Sequence, residues 1–119
     1  MQWDDDPEFI EMKKQFVASF ADRAAQLDQA SRAIESPDAK APDVDEALKK
    51  IQFIAHKLAG VAASYGYENL TEVGAEIDDV IGEYLDQDKK SRDLQSDLSF
   101  FKTLRPRVLD LATHLRKPN

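Results

Sequence analysis

The chain has 119 residues, room for one ordinary domain, and 42% of them are hydrophobic, enough to bury a core. Its 16 Lys+Arg against 23 Asp+Glu give a formal charge of -7 and a pI near 4.8, which argues against a general nucleic-acid binder. Cysteine is absent, so disulfide stapling, thiolate catalysis and Cys-based metal sites are excluded, and the mean hydropathy of -0.55 is that of a soluble chain.

The N-terminus, Met-Gln-Trp-Asp-Asp-Asp, is acidic where a signal peptide would be basic and then apolar. Residues 1–6 are read as a flexible tail, in which Trp3 either staples onto the domain or marks a partner contact. Asp4-Asp5-Asp6 reads as an acidic start beside a helix N-terminus rather than a cation site. The spacing predicts a first helix from about Pro7 to Glu35, with Asp6 as N-cap and Phe9, Phe16, Phe20, Leu27, Ala30 and Ile34 on one stripe. Residues 36–42 carry two Pro and small residues and read as a linker.

A second helix is predicted from about Val44 to Tyr65, with Asp43 and Glu46 spaced as a capping box. Its apolar stripe is Leu48, Ile51, Ala55, Leu58, Ala62 and Tyr65, and Gly66 reads as a left-handed stop. A third helix spans about Glu68 to Leu85, with Leu70, Val73, Ile77, Ile81 and Tyr84 inward. The polar run Asp86–Asp93 reads as a turn. The fourth helix spans about Leu94 to Arg116, with Leu94, Leu98, Phe101, Val108, Leu111 and Leu115 inward; Pro106 should kink or split it. No strand alternation, hairpin signal or internal repeat occurs. Four amphipathic helices with short connections predict an all-α, up-down-up-down four-helix bundle filling residues 1–119 as one domain.

Helical geometry places His56 about 130° from the centre of the second helix's stripe, so it should face solvent. Lys49, Gln52, Phe53, Ala59, Gly60 and Ala63 share its face. An interior helix Gly costs about 0.5–1 kcal/mol relative to Ala, and an exposed one beside two Ala makes a low floor around a projecting imidazole. Two readings stand at this point. Taken singly, His56 is a solvated surface residue, Gly60 a helix–helix contact and Phe53 a ring tucked against a neighbour. Taken together, they suit a reactive His that another protein must approach closely. Among the other candidates, His114 in the last turn reads as a favourable cation at a helix C-terminus. Asp78, Asp79 and Glu83 read as a solvated face.

The run Ala55-His56-Lys57-Leu58-Ala59-Gly60-Val61-Ala62-Ala63-Ser64-Tyr65-Gly66-Tyr67-Glu68-Asn69-Leu70 resembles the signature of histidine phosphotransfer (HPt) domains. That pattern has a His, then Leu two later, Gly four later, small residues, Gly ten later and Leu fourteen later. Leu58, Gly60, Gly66 and Leu70 match it, and the Phe16, Phe20, Arg23 stretch resembles the helix before the active one. The resemblance implies a phosphocarrier rather than an enzyme: His56 would take a phosphoryl group on Nε2 from a receiver-domain aspartyl phosphate and pass it to another receiver. Its partners would be receiver domains or a hybrid histidine kinase. The Mg²⁺ would sit in the receiver, so no cofactor or metal of the chain's own is expected. Such a transfer rests on positioning and charge, and a neutral imidazole attacks phosphorus without a strong base.

Many relatives carry Lys three residues after the His; here that position is Ala59. An amide helper of some members would fall at Asp78, which cannot donate when ionised. Gln52, Lys49 and Lys57 are therefore the expected oxygen contacts, with Phe53, Ala59, Gly60 and Ala63 as docking face. The expectation is a freestanding cytoplasmic monomer that binds neither nucleic acid nor membrane. A helical adaptor that binds a receiver or kinase without carrying phosphate is the alternative.

Overall fold

The computed structural model describes residues 6–34, 42–86 and 94–117, the side chains of 42–43 and 94–98 excepted. The expected tail to Asp5, most of the linker and the turn after Asp86 lie outside these residues, as do Trp3, the side chain of Asp43 and those of Leu94 and Leu98. The described residues form five α-helices: α1 (Pro7–Ala18), α2 (Phe20–Ala33), α3 (Pro42–Val61), α4 (Glu68–Asp86) and α5 (Leu94–Arg116). Among the described residues there is no strand.

Four of these helices close a ring. α2 packs on α3 and α5, and α4 packs on the same two, so every neighbour in the bundle is a neighbour in sequence or joins the two ends. The stripes meet where periodicity put them. Leu27, Leu48, Ile51, Leu58, Ile77, Ile81, Val108 and Leu111 are fully buried in one apolar cluster. Each such side chain contributes roughly 1.5–3 kcal/mol on burial, which helices of this length need to be stable. Ion pairs Asp28–Arg116 and Glu76–Arg107 tie α5 to α2 and α4 at the surface.

The first predicted helix is two. It breaks at Ser19, whose Oγ donates to the Phe16 carbonyl at 2.6 Å and accepts from Arg23 Nε at 2.9 Å. The Ser19 amide likewise turns back to Phe16, three residues away, at 3.1 Å. A serine that satisfies its own neighbourhood competes with the helical ladder, and periodicity does not register it. α1 therefore stands apart from the ring and buries no residue fully. It begins as read, with the Asp6 carboxylate accepting from the Glu8 amide at 2.9 Å. Its Phe9 and Phe16 are half-buried and lie 5.2 and 5.0 Å from the ring of Tyr65, while Lys13 lies over Tyr67.

Pro106 does not split α5, which runs unbroken through it. The proline is exposed, and Leu104 and Val108 on either side are buried, so both halves stay seated on the core. At the other end of α3 the helix tightens into a 3₁₀ turn over Ala62–Tyr65 and stops at Gly66, whose φ of 92° lies in the left-handed region.

Candidate functional site

The site is built on the seam between α3 and α4. Gly74 of α4 faces Ala55 and Ala59 of α3. A Cβ on Gly74 would lie 2.7 Å from the Ala55 carbonyl oxygen and 3.2 Å from the Ala59 amide nitrogen. No real Cβ tolerates the first distance, so the two backbones approach as closely as they do because residue 74 has no side chain. One turn further along α4 stands Asp78, and one turn beyond that Gly82. A Cβ on Gly82 would meet the Gln52 amide nitrogen at 3.4 Å.

This close approach brings a side chain of each helix together. His56 Nδ1 lies 2.8 Å from Asp78 Oδ2. The two ends of the pair differ in exposure, with the imidazole 78% exposed and the carboxylate 22%. A carboxylate offers only acceptors, so in a neutral ring the shared proton sits on Nδ1 and Nε2 keeps its lone pair. Asp78 was expected to be part of a solvated face and a poor substitute for an amide donor. It is instead half-buried and accepts from the histidine, while Asp79 and Glu83 are exposed as read. Periodicity missed this pairing because it depends on the register between two helices; the one signal in the sequence is the small-residue spacing of Gly74 and Gly82 about Asp78.

Around His56 the surface is low. The space a Cβ on Gly60 would enter is open, with no atom within 4 Å, so Gly60 is no helix–helix contact. Ala63 is exposed and Ala59 half-buried, and Phe53, one turn before His56, is 67% exposed. Beyond Gly60 the winding changes, and Thr71 of α4 closes the junction: its Oγ1 accepts from the Ala63 amide at 2.8 Å and reaches the Leu58 carbonyl at 3.4 Å. Thr71 escaped the sequence reading, since nothing in a helical pattern announces a cap supplied by a neighbouring helix.

The remaining expected residues divide. Leu58 and Leu70 are buried and Gly66 takes the left-handed conformation, so these motif positions shape the bundle. Gln52 is half-buried and reaches toward α4 at Gly82; Lys49 and Lys57 are exposed. Among the described residues, Asp78 is the hydrogen-bond partner of the His56 ring. His114 lies far along the chain in the last turn of α5, with Nε2 3.5 Å from Asp110. No helix among the described residues is long and apolar enough to cross a membrane.

No curated protein and no solved structure matches the chain. A family model does match, over residues 11–117, and its description is "Hpt domain".

Proposed function

The chain belongs to the Hpt domain family, whose members carry out histidine phosphotransfer in phosphorelays, and on that premise we propose that His56 is its phosphoacceptor. The observation that carries this reading is an imidazole 78% exposed above the open floor at Gly60. A buried or crowded histidine cannot be reached by a reactive group held in another protein's pocket; this one can.

In the proposed reaction the Nε2 lone pair attacks the phosphorus of a receiver's aspartyl phosphate. The bond from phosphorus to the aspartyl oxygen breaks, and its electron pair returns to that carboxylate. The phosphoryl group then rests on Nε2 until a second receiver's aspartate attacks it and the Nε2–phosphorus pair returns to the ring. Catalysis of this kind is positioning and charge stabilisation. We assign the Mg²⁺ to the receiver's acidic pocket. Lys49 and Lys57, exposed on α3, are the cations available to the phosphoryl oxygens from this chain, and Gln52 the nearby amide. Phe53, Ala59, Gly60 and Ala63 form the docking face, where the small residues give clearance and Phe53 gives apolar contact area.

His56→Gln tests the assignment. The variant should lose an acid-labile, alkali-stable phosphoprotein signal, while its helical circular dichroism stays that of the wild type. Undiminished labelling would overturn the reading and turn attention to His114. A protein that binds a receiver yet takes no label on His56 would be an adaptor.

A further inference from the structure

Thr71 uses its hydroxyl differently from the threonines of α5. There Thr103 and Thr113 donate to carbonyls four residues back in their own helix, those of Ser99 and Leu109, each at 3.0 Å, the common resting place of a helical threonine hydroxyl. Thr71 spends both roles of its hydroxyl on the neighbouring element: it accepts from the Ala63 amide at 2.8 Å and donates to the Leu58 carbonyl at 3.4 Å. We infer that Thr71 is a positioning residue for phosphoryl transfer, fixing the path of residues 61–65 and with it the level of the floor that a receiver meets. The inference rests on the docking face proposed above.

The backbone between the two contacts is where support is needed. α3 ends at Val61, whose φ of -130° leaves the helical range, and the next four residues wind as a 3₁₀ turn. Such a turn has poorer hydrogen-bond geometry than an α-helix, and an amide at a helix end needs a partner from outside the ladder. Thr71 supplies that partner from a fixed point. Leu70 beside it is buried, and the Thr71 amide is itself held by the Tyr67 carbonyl at 3.3 Å. Its β-branched side chain has few rotamers to choose among.

The turn bears two other parts of the molecule. Ala63 is exposed and belongs to the floor that Gly60 leaves open, and it is the Ala63 amide that the hydroxyl holds. Tyr65, two residues on, receives the rings of Phe9 and Phe16 from α1. The docking floor thus lies at one end of the turn and the seat of α1 at the other, with Thr71 tying the piece between them to α4. The hydroxyl touches no reacting atom. Its loss should therefore appear in receiver binding and not in the attack by Nε2.

The test uses the whole ¹⁵N-labelled chain and two variants. Thr71→Val keeps the shape and loses the hydroxyl; Thr71→Ser keeps the hydroxyl. In Thr71→Val the Ala63 amide should exchange with solvent about tenfold faster, while the core amides of Ile51 and Ile77 keep their protection. The receiver concentration that half-saturates transfer should rise by between about twofold and tenfold, the worth of one hydrogen bond, with the saturating rate unchanged. Thr71→Ser should restore both readings. Unchanged Ala63 exchange in Thr71→Val overturns the positioning role, and so does faster exchange with wild-type half-saturation. An equal loss of protection at Ile51 and Ile77 also overturns it, since the hydroxyl would then support the whole bundle. Equal defects in the Ser and Val variants do the same by assigning the effect to the methyl group. A wild-type chain that takes no label on His56 overturns the phosphocarrier reading, and the transfer part of this inference with it; the Ala63 exchange still reports on the bridge.

Discussion

Gly60 and Gly74 both sit inside helices, and each carries the same intrinsic cost of about 0.5–1 kcal/mol relative to Ala. Their surroundings are opposite. Around Gly60 the space is empty; at Gly74 an added carbon would strike the backbone of α3 at 2.7 Å. One glycine keeps a surface low, and the other lets two helices touch. The difference teaches that a helical glycine in this bundle is explained by what meets it from outside its own helix. The two together make one device, since the seam closed at Gly74 places His56 and the floor opened at Gly60 leaves it accessible.

The contrast can be broken most sharply at Gly60. Gly60→Gln should slow phosphoryl transfer to a receiver by about 100-fold, the scale expected when reacting atoms are held an ångström out of place. Its melting temperature should not fall, because nothing crowds the site. A wild-type transfer rate would show that this face is not the docking surface. Gly74→Ala should do the reverse. It should cost about 1–3 kcal/mol of stability, the range for overpacking a close contact, and lower the melting temperature accordingly. An unchanged melting curve would mean that the seam relaxes without cost.

Two smaller effects sharpen the comparison. Phe53 is 67% exposed, so Phe53→Ala should change stability by no more than about 0.5 kcal/mol. It should weaken receiver binding by roughly tenfold, since burying such a ring on docking is worth about 1.5–3 kcal/mol. Titration calorimetry beside thermal melting separates the two. Smallest of all, Gly60→Ala should stabilise the chain by about 0.4–1 kcal/mol. A loss of stability there would mean that the floor is more crowded than its geometry shows.

Much of this was legible in the sequence because amphipathic periodicity is a strong signal in helices of this length. Leu94–Arg116 and the start of α4 at Glu68 read correctly, as did the outward placement of His56, 100° steps along α3 being enough to set it across the helix from Leu58. Gly66 was readable as a stop because few residues other than glycine tolerate its φ. What periodicity cannot carry is contact between elements. The Ser19 break, the Thr71 cap on Ala63 and the Asp78 bond to His56 are each made by a polar side chain whose partner is fixed by local competition or by register across a seam. Pro106 shows the converse: a residue that argues for interruption is accommodated when the core grips the helix on both sides of it.

The break at Ser19 also divides the molecule by cooperativity. α1 has no fully buried residue and is anchored by the half-buried rings of Phe9 and Phe16 on Tyr65 and by Lys13 over Tyr67, whereas α2 beyond the break carries Phe20, Ala24, Leu27 and Ala30 into the core. A segment with so little apolar burial opens at a free energy well below that of global unfolding. The backbone amides of α1 should therefore exchange with solvent deuterium long before those of α3 and α4. Opening would stop at Ser19, so that the arm frays and reseats while the seam that holds His56 stays closed.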